Sequence, residues 1–171
     1  MNIMNQLHPG AVWQFRLGGY VLFGFLGVFI GGWIVFPVIG VLLGLMGASV
    51  NSVAMTILLS IIASVIFVFI ASEIYARMSY NRWFYEFTDE GLRLERGIIW
   101  KRYSNVPYER IQNVDVRRGI IARMFGFSSL MIQTAGYSAQ PYAEGHIPAI
   151  EMGKAEELRN FVMKKITSKR K

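Results

Sequence analysis

The sequence predicts a membrane α-helical hairpin followed by a water-facing α+β module, in which an antiparallel sheet of six or seven strands is closed by one C-terminal helix. Three observations predict it. From Leu17 to Ser72 the chain holds no Asp, Glu, Lys, Arg or His. With about 25 % charged residues in an average soluble domain, 56 uncharged positions in a row have a chance of roughly 10⁻⁷. After Trp83 short alternating runs separated by turn residues take over, and near the end apolar residues recur at helical spacing. The expected divisions are 1–16 as a cytoplasmic N-terminal segment, 17–75 as the transmembrane hairpin and 83–171 as the cytoplasmic domain.

A helix crosses the ~30 Å hydrocarbon layer with about 20 apolar residues, so 56 positions hold two crossings and a turn, not three. The first crossing starts near Leu17 and runs to about Leu45. Pro37 in its middle predicts a kink, because proline lacks the backbone donor and crowds the preceding turn. Ala48 to Ser52 reads as the connecting turn, with Asn51 and Ser52 as N-caps of a second helix over Val53 to Ser72. That helix is apolar all round, which excludes an amphipathic surface helix. Arg16 precedes the first crossing, Arg77 and Arg82 follow the second, and the turn is uncharged. Both termini are therefore expected on the cytoplasmic side of a multi-pass protein of the cell membrane. Trp13, Tyr20, Tyr75, Tyr80 and Trp83 then fall at one interface, where aromatic rings collect. A cleaved signal peptide fits poorly, since its apolar core spans only about 7–15 residues.

Nine glycines lie between Gly18 and Gly47, with Gly27 and Gly31, and Gly40 and Gly44, four apart; Ser60 and Ser64 repeat the spacing in the second helix. Small residues so spaced let helices approach closely, either within the hairpin or against a membrane partner. The neutral run leaves no ionisable group inside the membrane, which argues against transport by this chain alone.

Trp83, Tyr85 and Phe87 alternate with Phe84, Glu86 and Thr88, and Asp89-Glu90-Gly91 makes a turn. Leu92 and Leu94 alternate with Arg93 and Glu95 before Arg96-Gly97 turns into Ile98 to Tyr103. Val106 to Arg118 adds extended chain with a bend or edge at Pro107. Ile120 to Phe125 reads as a helical turn closed by Gly126, followed by a strand from Phe127 to Thr134. A loop from Ala135 to Gly145 leads to a last strand, Ile147 to Glu151. The final helix spans about Lys154 to Ser168, with Ala155, Leu158, Phe161, Val162 and Ile166 as its apolar stripe.

The chemistry classes narrow quickly. The histidines are His8 and His146, the aspartates Asp89 and Asp115, and there is no cysteine, so no metal site, cofactor site or catalytic constellation is expected. No phosphate-cradling glycine loop is present, and no nucleic-acid partner is expected. His146 reads as a loop residue.

Val106-Pro107-Tyr108-Glu109-Arg110-Ile111-Gln112-Asn113-Val114, Arg123-Met124-Phe125-Gly126-Phe127 and Ile132-Gln133-Thr134-Ala135-Gly136 resemble the YdbS-like bacterial membrane proteins, which carry the second class of bacterial pleckstrin-homology (PH) domain. The resemblance extends to the His8-Pro9 start, the two membrane helices and the last helix. It implies a PH-like antiparallel β-barrel or sandwich capped by a C-terminal helix. It marks Pro107, Tyr108, Arg110, Ile111, Gln112, Val114, Phe125, Gly126, Thr134 and Gly136 as family-motif residues. It also implies envelope-related or stress-related scaffolding, with a related multi-copy PH-domain protein as a partner.

Lipid-binding eukaryotic members of the fold carry cations between their first two strands, whereas Thr88-Asp89-Glu90-Gly91 is acidic. From Trp83 to Met163 ten basic residues balance ten acidic ones, so the domain's excess charge sits at Lys164, Lys165, Lys169, Arg170 and Lys171. Each such cation gains about 1 kcal/mol beside an anionic leaflet. These five, with Arg96, Lys101, Arg102, Arg117, Arg118 and Arg123, are the candidate partner or lipid contacts; interspersed acids make a solvated sheet face the competing reading. The expected function is a non-catalytic interaction or scaffolding module that sits in the lipid bilayer and binds another membrane protein or itself. Anionic-lipid headgroup binding is the alternative.

Overall fold

The computed structural model describes residues 5–134 and 145–169, with the backbone alone of Lys169. The chain divides into two compact units, Phe15–Arg77 and the module formed by Met1–Gln14 with Met78–Lys171.

The membrane unit holds α1 (Ala11–Ile30), a π-helical turn (Gly31–Val35), α2 (Phe36–Leu45) and α3 (Val50–Asn81). Its first span is 35 residues long and its second 32. None of the most apolar stretch of α3 is buried, and only 6 % of that in the first span. A soluble core helix would be covered; these side chains have lipid as their solvent. The break expected at Pro37 takes the form of the π-helical turn ahead of it, where the Phe36 N–H reaches Gly31 O. The wider turn accommodates the missing proline donor.

The connecting turn differs from expectation in its caps. Gly47 adopts φ +73°, Ala48 N–H bonds Leu43 O at 3.0 Å and Gly47 N–H bonds Gly44 O at 3.0 Å, a Schellman ending. Ser49, not Asn51 or Ser52, caps α3 by accepting Ser52 N–H at 3.3 Å, and the helix starts at Val50. It also runs nine residues beyond Ser72.

Of the nine glycines, two serve the hairpin contact. A Cβ on Gly19 would lie 3.1 Å from Ser72 Cβ and one on Gly27 3.5 Å from Val68. Gly40 and Gly44 face open space, and Ser60 and Ser64 donate to the carbonyls of Thr56 and Ser60 in their own helix.

In the module, β1 (Asn5–Gln6), β2 (Phe84–Phe87), β3 (Gly91–Arg96) and β4 (Arg102–Pro107) form one antiparallel sheet in chain order. β5 (Ile111–Arg117), β6 (Phe127–Thr134) and β7 (Gly145–Glu151) form the second. The single extended run expected from Val106 to Arg118 is divided by a 3₁₀ turn, Tyr108–Arg110, which carries the chain from one sheet to the other. α4 (Ile120–Met124) ends at Gly126, φ +71°, as its sequence predicts. The loop expected from Ala135 lies outside the described residues up to Glu144, as does Gly136. Pro148 is tolerated within β7 because the ladder to β6 is irregular there.

α5 (Met152–Lys169) buries Ala155, Val162 and Ile166. Phe161 is more exposed than the stripe predicts, yet meets Phe87 and Tyr108 edge-on at 6.4 Å each. Leu92, Val106, Ile111, Leu130, Ile132, Ile147 and Ile150 are fully buried, each contributing about 1.5–3 kcal/mol of hydrophobic stabilisation.

No strand is expected ahead of the membrane helices. Asn5 and Gln6 pair with Tyr85 and Phe84, His8 N–H bonds Ala149 O at 3.0 Å, and Leu7 and Ala11 are buried. Tyr80, at the end of α3, donates its hydroxyl to Leu7 O at 3.1 Å. The two helical spans are thus inserted in the chain between neighbouring strands of one sheet.

Candidate functional site

The motif around Tyr108 pins a turn. Its ring is fully buried and its hydroxyl donates to Thr88 O at 2.8 Å, while its N–H bonds Glu90 O at 3.2 Å. Thr88 closes the same turn by bonding Gly91 through its N–H and hydroxyl, each at 2.9 Å. A Cβ on Gly91 would overlap the Val106 carbonyl oxygen, so only glycine fits. Burial, with Asp89 adding to it, pushes the Tyr108 phenol up to about 12. A neutral donor held that firmly is structural. Pro107 sets up the 3₁₀ turn in extended conformation, Ile111 and Val114 enter the core, and Gln112 sits exposed at a ladder irregularity. Arg110 is exposed, Phe125 stacks on Trp13 at 5.2 Å, and Thr134 ends β6.

The candidate cations fall into three groups. Lys101 pairs with Glu95 at 2.7 Å, Arg118 bridges Ser128 at 2.9 Å and Glu156 at 2.8 Å, and Lys165 reaches Asp89 at 3.3 Å from above the Phe161 ring. These three are engaged within the module. The bond from Lys101 keeps the Glu95 carboxyl below its ordinary range. Arg123 and Lys164 are exposed. The side chain of Lys169, with Arg170 and Lys171, lies outside the described residues.

The remaining candidates, Arg96, Arg102 and Arg117, lie on β3, β4 and β5. Arg96 and Arg102 stand directly opposite each other at the end of the β3–β4 ladder. Burial, then the Arg102 charge, lowers the Arg96 guanidinium from its ordinary value. Burial, then Arg96 and Arg117, lowers the His146 imidazole, which favours its neutral form. His146 thus occupies β7 rather than the expected loop, and senses two arginines from different strands.

A second charged arrangement escaped the sequence reading. Arg16 donates to both Glu73 carboxylate oxygens, at 2.6 and 2.8 Å, and Arg77 adds a bond to the same carboxylate at 2.7 Å. The signal was available: Arg16 and Glu73 are the residues that bound the neutral run, and antiparallel helices bring such ends level. Among the described residues no three acidic or histidine side chains gather as metal ligands.

Comparison with known proteins gives three matches. The family described as "Bacterial PH domain" matches residues 21–166. The UPF0699 transmembrane protein YdbT of Bacillus subtilis (strain 168) is 28 % identical over 93 residues, 54 % of this chain and 18 % of that protein. The UPF0699 transmembrane protein YdbS of the same organism is 28 % identical over 103 residues, 60 % of this chain and 58 % of that protein. The chain therefore covers less than two thirds of either relative. No solved structure matches it significantly.

Proposed function

The chain belongs to the bacterial PH domain family, and from that premise we propose that it is a non-catalytic interaction module anchored by its hairpin at the cytoplasmic face of the cell membrane. Its partner is another membrane protein or a second copy of itself. The observation that carries this reading is the β1–β2 pairing, which closes a sheet across the two spans. Such a module needs no separate recruitment and is held at the bilayer from two strand ends. The same pairing requires residues 5–6 and 84–85 on one side of the membrane, as two crossings provide. The flanking Arg16, Arg77 and Arg82, against an uncharged turn, support the cytoplasm as that side.

Surfaces for a partner exist on both units. Gly40 and Gly44 present small faces with no other described residue's side chain within 4 Å of where a Cβ would stand. Ile99 and Trp100, at the β3–β4 tip, are 84 % and 86 % exposed. Affinity capture from detergent-solubilised membranes tests the reading: a defined co-purifying protein or a stable homo-oligomer is expected, and a strict monomer with no companion overturns it. A second reading, anionic headgroup binding, is favoured by the two arginines that stand opposite each other at the end of β3 and β4, neither with an ion pair among the described residues.

A further inference from the structure

α1 is one continuous helix from Ala11, and the neutral run within it begins at Leu17. Trp13 and Gln14 stand four and three residues ahead of that point, roughly 6 and 4.5 Å farther along the axis at 1.5 Å per residue. The headgroup layer is about 5–8 Å deep on each side of the hydrocarbon. Both residues therefore fall at headgroup depth, the level at which tryptophan collects.

Two contacts fasten α4 beside them. Phe125, at its C-terminal end, stacks on the Trp13 ring at 5.2 Å. At its N-terminal end Ile120 and Ile121 line one cleft together with Gln14. A helix only five residues long that meets α1 at both ends stays level with Trp13 and Gln14. Ala122 is buried, whereas Ile120 and Met124, one turn apart on the same face, are 72 % and 74 % exposed. Met124 directly precedes Phe125 in the chain, so this apolar face adjoins the aromatic pair. The charges are one-sided. No Asp or Glu occurs from Val116 to Ala143 or ahead of Glu73, so both segments that meet here carry cations without acids. Arg118 is taken up by Ser128 and Glu156, and Arg16 by Glu73, while Arg117 and Arg123 are exposed.

We propose that α4 is an interfacial anchor: Ile120 and Met124 enter the boundary between headgroups and acyl chains of the bilayer that the hairpin spans, and Arg123 meets its anionic headgroups. The bilayer is the occupant because the contact continues a surface the chain already has, at the turn of α1 that leaves the membrane. Apolar faces of interfacial helices sink about 5–10 Å into this boundary, within reach of a helix held level with Trp13. The missing acids suit an anionic leaflet, which attracts juxtamembrane cations. The inference rests on the hairpin's crossing of the bilayer; it is independent of the partner that capture identifies and of the arginines ending β3 and β4.

The chain has no cysteine, so single cysteines carrying a nitroxide label can be placed in the full-length protein, in vesicles of mixed phosphatidylglycerol and phosphatidylcholine. Collisions with oxygen, which concentrates in lipid, are compared with collisions with a water-soluble nickel chelate. Ile120→Cys and Met124→Cys replace exposed side chains and leave the core intact. Two further labels calibrate the scale. Val28→Cys lies on the lipid-facing surface of α1, and Gln112→Cys lies exposed on β5 roughly 17 Å along the strand from Arg117, the end nearest α4. The oxygen-to-chelate ratio at Ile120 and Met124 is expected to be several times that at Gln112 and below that at Val28. Met124→Asp combined with the Ile120 label lowers the ratio toward the Gln112 value. Pure phosphatidylcholine also lowers it, and Arg123→Gln abolishes that dependence; a ratio indifferent to lipid charge overturns the role given to Arg123. Ratios at Ile120 and Met124 that match Gln112, while Val28 reads deep, overturn the anchor alone. A Val28 label that reads as water overturns the hairpin and the anchor together. Labels on α4 shielded from both relaxers mark a protein over this face and overturn the proposal as well.

Discussion

Val21 in α1 and Leu92 in β3 are both branched aliphatic residues, yet the first is 74 % exposed and the second 0 %. The membrane unit turns its apolar side chains outward and leaves their burial to lipid, whereas the module buries its own. The two units therefore depend on different things. The module needs shape complementarity across two sheets and α5, and the hairpin needs a few close approaches, at Gly19, Gly27 and the Arg16–Glu73 pair.

Truncation separates them most sharply. Leu92→Ala or Ile132→Ala should destabilise the module by about 2–5 kcal/mol, while Val21→Ala, on a lipid-facing surface, changes module stability little. Urea unfolding of the full chain in nanodiscs, followed by strand circular dichroism, checks this; equal losses would break the comparison. Gly19→Val places bulk against the Ser72 backbone at 3.2 Å and should cost the hairpin about 1–3 kcal/mol, read as a lower aggregation temperature in detergent. Tyr108→Phe removes the hydroxyl that satisfies the buried Thr88 carbonyl, an expected loss of about 1–3 kcal/mol confined to the module. Glu73→Gln weakens the clamp between α1 and α3 by a smaller amount, detectable as faster proteolysis at the helix ends while the module's own unfolding midpoint stays put.

The smallest effect is that of pH. The folded state holds His146 below its ordinary value of 6.5, so the unfolded chain binds more protons and stability falls as pH drops through and below 6.5. Arg96 and Arg117 press on this ring, Arg102 stands behind Arg96, and Asp115 on the same sheet face is occupied by Asn113 and Gln133. A midpoint that rises on acidification from neutral pH would contradict that arrangement.

The hairpin was legible because lipid imposes its signature on every residue of a span, and β2 and β3 because alternation is local; the strand expected from Ile98 to Tyr103 instead starts at Arg102 and ends at Pro107, with Ile98 to Trp100 in the bend before it. β1 was not legible. Two residues carry no periodicity, and their partners Phe84 and Tyr85 lie beyond both membrane helices. The Schellman ending at Gly47 displaced the expected caps because one glycine at positive φ let the chain turn earlier. The candidate cations were legible as residues but not as a site. What separated Lys101, Arg118 and Lys165, which meet acids, from Arg96 and Arg102, which stand opposite each other, was which elements met, and spacing along the chain says nothing of that.

The pairing of Gln6 with Phe84 also orders events during synthesis. The first strand leaves the ribosome 78 residues before its mate, a wait of roughly 4 to 16 s at ordinary elongation rates. Meanwhile the translocation machinery must thread both helices, and a chain threaded an odd number of times strands its opening residues across the bilayer. Completion of the sheet thereby requires an even number of crossings between its first two strands.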